Sequence, residues 1–331
     1  MLKKMLDSPL GFGAAPLGNM FRAVTDAEAH ATVAAAWEGG VRFYDTAPVY
    51  GAGLSELRLG EALAGKPRDD YVLATKVGRV VTEELRDPAA ATPGIFADGL
   101  PNVVVDDYGA DATLRSIEDS LRRLRTDRLD VVFVHDVALN VYGDAWLDRL
   151  AECRSGAFPV LDRLRDEGVI TAWGMAVNRT EAVEVTLDLG EVHPNAFLLA
   201  GRYSLLDHER TLQRLLPQAA EQDVAMVVGG PYSSGALVGG THLDYGPITP
   251  EARGVIDTIG EVAAAYDVSV KALALQFCAA PDVVAAVIPG ATRPERVAED
   301  AAALAETVPA AAWDDLRAAG ILAPGAPTPL G

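Results

Sequence analysis

Asp45, Tyr50, Lys76 and His135 each stand at or just past the end of an apolar, strand-like run. The runs are Val41-Arg42-Phe43-Tyr44, Tyr71-Val72-Leu73-Ala74-Thr75 and Leu129-Asp130-Val131-Val132-Phe133-Val134. A phenol has an ordinary pKa of about 10, so exchanging its proton near neutrality calls for a cation beside it, and Lys76 can supply one. An ammonium drawn partly out of water needs a counter-ion in turn, for which Asp45 is the candidate. His135 can then hydrogen-bond a substrate oxygen next to the tyrosine. The four side chains together describe a carbonyl/alcohol site that moves a proton and lacks its hydride source.

Eight short apolar segments could be the strands that position this site: Leu10 to Ala15, Val41 to Tyr44, Tyr71 to Thr75, Leu129 to Val134, Ile170 to Val177, Ala196 to Leu199, Val224 to Val228 and Val283 to Ile288. Amphipathic segments alternate with them, among them Asp26 to Glu38, Ser55 to Leu63, Ala112 to Leu124, Phe158 to Asp166, Thr180 to Leu187, Arg210 to Ala220 and Pro250 to Tyr266. Continuous apolar strands are expected where both faces of a parallel sheet are covered. Eight β/α repeats therefore predict an α/β fold of the (β/α)8 TIM-barrel type. The competing doubly wound sheet would announce a dinucleotide turn, but Gly11-Phe12-Gly13-Ala14-Ala15-Pro16 has a proline where the third glycine belongs. Long βα loops are expected after strands 3, 4 and 7, at Gly78 to Ala110, Asp136 to Ala157 and Gly229 to Thr249. In a barrel these lie on the active-site face.

The chain has 331 residues, which one barrel domain can absorb, and residues 1–331 are read as a single domain with 323–331 as an extended C-terminal tail. A formal charge of -19 opposes nucleic-acid and membrane-surface roles. The most basic stretch, Leu121-Arg122-Arg123-Leu124-Arg125, has acidic neighbours and reads as a salted helix face. Met1-Leu2-Lys3-Lys4-Met5 is not followed by a long apolar run, so a cytoplasmic location is expected. Cys153 and Cys278 lack metal-ligand spacing and are read as free thiols, and no metal site is expected. His30, His193, His208 and His242 are read as surface residues, and Trp37 and Trp313 as packing residues. Arg202 is read as a salt-bridge partner of a nearby Asp or Glu as readily as a ligand contact.

Gly40-Val41-Arg42-Phe43-Tyr44-Asp45-Thr46-Ala47-Pro48-Val49-Tyr50-Gly51, followed by Ser55-Glu56 and Leu59-Gly60, resembles the signature of the aldo-keto reductases. Lys76, Ser116 to Leu121 with Leu124 and Asp127, Asp130 to His135, Gly174 to Asn178, and Ile288-Pro289-Gly290 to Asp300 match further blocks of that family in order. The resemblance implies a barrel that binds NAD(P)(H) across its C-terminal face and transfers hydride without a metal. It implies that Tyr50 is the proton donor or acceptor, that Lys76 and Asp45 tune it, and that His135 orients the substrate oxygen. For the cofactor it implies contacts from Asn178, from Pro231, Tyr232, Ser233, Ser234 and Gly235, and from Ile288, Gly290, Thr292, Arg293, Arg296, Glu299 and Asp300.

The chain departs from the family pattern at three places. Ala200 stands where a glutamine is usual, Gly229 where an aromatic residue stacks on the nicotinamide, and Gly290 and Ala291 where a lysine and a serine grip a 2'-phosphate. The last pair leans the expectation to NAD over NADP. Within the family, Ala15 to Phe21, Tyr50 to Glu56, Asp106 to Tyr108 and Leu199 to Leu206 are similar to the branch of D-threo-aldose (L-fucose) 1-dehydrogenases and pyridoxal 4-dehydrogenases. The expected partner is a small carbonyl or alcohol compound, contacted by Tyr50, His135, Phe21 and Trp146. A reductase of a bulkier ketone or aldehyde, and a nucleotide-binding subunit with little turnover, remain as alternatives. Oligomeric state is left open.

Overall fold

The computed structural model describes residues 2–87, 95–96 and 98–329. Eight strands form one sheet: β1 (Phe12–Gly13), β2 (Phe43–Asp45), β3 (Val72–Val77), β4 (Val131–His135), β5 (Ala172–Val177), β6 (Ala196–Ala200), β7 (Ala225–Gly229) and β8 (Val284–Ile288). Each pairs in parallel with the next in chain order. The circle closes where Gly11 N donates to Val287 O (2.9 Å), Gly13 N to Pro289 O (3.0 Å) and Val287 N to Pro9 O (2.7 Å). The result is the (β/α)8 barrel that the alternation predicts, with every expected strand present and no end shifted by more than two residues.

Strands β2 to β5 and β7 to β8 are buried along their whole length, which is why they read as apolar runs rather than alternating ones. Alternate residues build two cores. Phe43, Val72, Ala74, Val131, Phe133, Ala196, Leu198, Val227 and Ala286 fill one, which Leu2 joins from the short helical turn Leu2–Met5. The intervening positions, such as Tyr44, Leu73, Val132 and Val134, face the surrounding helices. Gly174 admits no larger residue, because a Cβ there would overlap the Ala196 carbonyl oxygen of the paired strand.

The barrel helices are α1 (Asp26–Glu38), α2 (Leu54–Leu63), α3 (Ala110–Leu124), α4 (Ala157–Asp166), α5 (Glu181–Leu189), α6 (Leu216–Glu221), α7 (Val270–Ala279) and α8 (Pro294–Ala305). Thr25 and Glu28 form a reciprocal capping box at the start of α1. The segment expected as one helix from Arg210 begins as π-helical turns over Thr211–Leu215. It becomes α-helical where Pro217, which has no amide hydrogen, enters the first turn of α6.

The three long connections all leave C-terminal strand ends. The first carries an antiparallel hairpin of Arg79–Leu85 with Asn102–Asp106, and the third a two-residue ladder of His242–Leu243 with Gly246–Pro247. The second, expected as loop, contains the helix Trp146–Ser155. Among the described residues no single helix is long and apolar enough to cross a membrane. Both cysteines are free and buried.

The tail has no regular structure from Ala323 to Thr328, with Ala323 and Ala326 buried, and Leu330 and Gly331 lie outside the described residues. Ala323 N donates to His208 Nε2 at 3.0 Å, while His208 Nδ1 meets Ser204 O at 2.9 Å. His208 is thus an interior residue, contrary to the surface reading: both ring nitrogens are used up tying the tail to the loop after β6.

Candidate active site

Asp45 ends β2, Lys76 lies one residue from the end of β3, and His135 ends β4, so three adjacent parallel strands deliver them to one end of the barrel. Tyr50 is carried by the turn that links β2 to α2. That turn is fixed from below: Thr46 Oγ1 pairs with Ser55 Oγ (2.9 Å), whose hydroxyl donates to Ala14 O (2.7 Å). Glu56 is fully buried and accepts from Thr75 Oγ1 and Arg123 Nε, both at 2.6 Å, locking α2 against β3 and α3. The Ser55-Glu56 element of the sequence signature is therefore scaffold for the tyrosine turn.

Lys76 Nζ donates to Asp45 Oδ2 at 2.6 Å and to Thr46 O at 2.9 Å, and lies 4.9 Å from the centre of the Tyr50 ring. The Tyr50 and His135 rings meet edge to face with centroids 5.8 Å apart. Burial pushes the Asp45 carboxyl up, and the adjoining ammonium opposes that shift. Burial, followed by the charge of Asp45, holds the Tyr50 phenol well above its ordinary range. Held up in this way, the phenol keeps its proton at neutral pH. Burial also lowers the His135 imidazole to about 3, which leaves a neutral ring able to offer one N–H.

These four side chains line a cleft of about 400 Å³. Asn178, Ser233, Ser234, Ile288 and Gly290 line it with them, along with Ala200 and Gly229. The Asn178 carboxamide oxygen is buried without a hydrogen-bond partner, as is Nδ1 of His135. Gly290 also borders a second cleft of about 280 Å³, lined by Tyr232, Lys271, Arg293, Arg296, Glu299 and Asp300. The two clefts, which share Gly290, form a run from the four strand-end residues to the start of α8. The unpartnered Asn178 oxygen and the arginines at the far end fit an extended dinucleotide, with anionic groups near a helix N-terminus.

Pro231, Gly235 and Thr292 line neither cleft. Tyr232 donates to Asp300 Oδ1 at 2.6 Å, and Lys271 Nζ reaches Asp300 and Glu299, both at 2.8 Å. Phe21 stands outside the cleft wall and stacks on His242 with centroids 4.6 Å apart, next to Tyr245, which does line the cleft. Trp146 lines neither cleft and packs against the core at the start of its helix. Arg202 is held by Asp207 and Asp244, each at 2.7 Å.

Sequence reasoning passed over Arg79, Asp136, Tyr245 and Lys271. Arg79 and Asp136 follow directly on Gly78 and His135, where a charge reads as the start of a loop. Tyr245 lies beyond the short ladder of the third loop, and Lys271 opens the nearly all-apolar helix α7. No local pattern marks any of them as facing a cleft.

Residues 9–321 match the model of the aldo/keto reductase family. The chain is 34% identical over 330 residues to D-threo-aldose 1-dehydrogenase of a Pseudomonas species, covering 97% of this chain and 95% of the relative. It is 33% identical over 328 residues to pyridoxal 4-dehydrogenase of Microbacterium luteolum, covering 95% and 94%. Among solved structures it is similar to the holo form of an aldo-keto reductase from Bacillus halodurans (27% identity, TM-score 0.69, 94% and 91% coverage). It is also similar to an aldo-keto reductase from Klebsiella pneumoniae in complex with NADPH (25% identity, TM-score 0.66, 98% and 92% coverage). With that match over most of its length, on this barrel and around these strand-end residues, the chain belongs to the aldo/keto reductase family of NAD(P)-dependent oxidoreductases acting on carbonyl and alcohol groups.

Proposed function

We propose that the protein interconverts an alcohol and a carbonyl compound as an aldose 1-dehydrogenase of the D-threo-aldose type or a pyridoxal 4-dehydrogenase. The observation that carries this reading is the convergence of Tyr50, His135 and the Lys76–Asp45 pair on one cleft, which the Asn178 carboxamide oxygen also lines without a hydrogen-bond partner. Both relatives named in these terms cover nearly the whole chain.

In the reducing direction the neutral His135 orients the substrate oxygen and Tyr50 gives it a proton. In the oxidising direction Tyr50 takes that proton back. Lys76, fixed by Asp45 and Thr46, keeps a cation under the phenol ring as charge develops on its oxygen. The bound nicotinamide supplies or accepts the hydride. Asn178 would hold its carboxamide, Ser233 and Ser234 the phosphates, and Arg293 and Arg296 the adenosine end.

The cofactor is proposed to be NAD. Gly290 and Ala291 offer no side-chain donor, and Lys271 is taken up by Glu299 and Asp300. Titration of the protein with NADH and NADPH tests this, and tighter binding of NADPH overturns it. Steady-state assays with each oxidised and reduced cofactor against L-fucose, D-arabinose, pyridoxal and aromatic aldehydes test the substrate class. Absence of turnover with every sugar and with pyridoxal would sink the dehydrogenase reading. A second reading, reduction of a bulkier aldehyde or ketone, is favoured by the apolar wall of Met20, Val49, Ile95 and Phe96 and by the protonated state of Tyr50.

A further inference from the structure

Arg79 and Asp136 line the same chamber as Tyr50 and His135, and the proton and hydride chemistry uses neither. Asp136 is a non-glycine residue with φ +56°, a left-handed conformation that aspartate tolerates better than most side chains. Its amide is fixed to Ala176 O at 2.9 Å. Directly after β4, this turn brings its carboxylate beside the catalytic imidazole: Asp136 Oδ2 lies 3.7 Å from His135 Nε2 and accepts from Arg79 Nη1 at 2.9 Å.

Arg79 Nε lies 3.4 Å from Asp106 Oδ1 without making a hydrogen bond to it, and is buried with no other hydrogen-bond partner. One guanidinium therefore faces two carboxylates. The Lys76–Asp45 pair balances itself, Tyr50 and His135 are neutral, and Asp244 is matched by Arg202 at 2.7 Å. This wall offers donors and acceptors side by side and a negative balance, which suits a neutral polyhydroxy compound and opposes an anion.

We propose that Arg79 and Asp136 form a hydroxyl-recognition pair that selects uncharged substrates bearing a hydroxyl on the carbon next to the reacting one, and that turns away phosphorylated or carboxylated analogues. The proposal rests on the oxidoreductase reading above and narrows its substrate class. With the substrate oxygen at His135, a hydroxyl on the neighbouring carbon donates to Asp136 while a guanidinium N–H of Arg79 donates to it. A substrate without that hydroxyl leaves the pair to water.

The test compares glyceraldehyde, propanal and glyceraldehyde 3-phosphate as substrates for reduction, with both reduced cofactors. In the unaltered protein kcat/KM for glyceraldehyde exceeds that for propanal by about 10- to 100-fold, the range of a hydrogen bond to a charged group. It exceeds that for the phosphate ester as well. Asp136→Gly keeps the left-handed backbone and removes the carboxylate, and it brings the glyceraldehyde-to-propanal ratio to within about threefold of unity on loss of that bond. Asp136→Asn keeps a hydrogen-bonding side chain of the same size and removes the charge, and it raises relative activity on the phosphate ester. A purely structural role would lower all three rates together and leave both ratios in place, which overturns the proposal. So does a wild-type protein that reduces propanal as well as glyceraldehyde. No turnover of any of the three aldehydes with either cofactor instead removes the carbonyl-reducing reading beneath it.

Discussion

Replacing Lys76 by methionine keeps the length of the side chain and removes the charge that Asp45 faces. The two side chains are 1% and 3% exposed, and Asp45 Oδ1 already lacks a hydrogen-bond partner. The variant would therefore leave a carboxylate in the barrel interior with neither oxygen satisfied by the lysine. Breaking a buried pair in this way costs about 3–5 kcal/mol. Burial already pushes the Asp45 carboxyl up, and without the ammonium nothing opposes that shift. Its folded pKa then lies above the unfolded one of about 3.9, so the native state binds more protons between the two values and stability falls as pH rises through that window. The urea midpoint of Lys76→Met should accordingly drop at pH 7 and recover on moderate acidification. The double variant Asp45→Asn with Lys76→Met removes both charges and should regain much of the lost stability at pH 7. Turnover should stay low in both, because the cation beneath the Tyr50 ring is gone in both. Paired urea titrations and steady-state rates separate these effects. A loss below about 1 kcal/mol in the single variant, or a double variant no more stable than the single, refutes the ion-pair reasoning.

Tyr50→Phe should lower turnover by about 10²- to 10⁴-fold while quenching of protein fluorescence by reduced cofactor persists; unchanged turnover removes the proton-transfer role. Burial holds both His135 and His208 below their ordinary range, so the unfolded chain takes up protons that the native state refuses as pH drops below about 6.5. Stability should fall with decreasing pH from there, by up to about 1.4 kcal/mol per pH unit for each histidine, and His208→Gln should flatten the slope between pH 7.5 and 5.5. A urea midpoint that does not change over that range contradicts it. Gly174→Ala should destabilise by more than about 4 kcal/mol or abolish soluble expression, because the methyl group would sit on the Ala196 carbonyl; a thermal midpoint close to that of the unaltered protein speaks against the tight β5–β6 packing.

The strands were legible because burial on both faces leaves an unbroken apolar run, and the four catalytic candidates were legible because each terminates such a run or follows one. Helix α7 was passed over for a related reason: seven of its ten residues are buried, so it shows no polar face to betray a helical period. Trp146–Ser155 was hidden by its place within an expected loop. Arg79 and Asp136 were illegible because their meaning depends on each other across 57 residues, and no local pattern encodes that encounter. His208 read as surface because its acceptor role is completed only by Ala323, 115 residues away.

The closure of the barrel also orders its assembly. The partner of β1 is made after every other strand of the barrel, since the amides of Gly11 and Gly13 donate to the carbonyls of Val287 and Pro289. A chain growing from its N-terminus therefore carries an unsealed sheet edge until β8 is made, bonded on one side only to β2. The edge presented is short, two residues of regular strand bordered by Pro9 and Pro16, and so offers little for a neighbouring chain to extend.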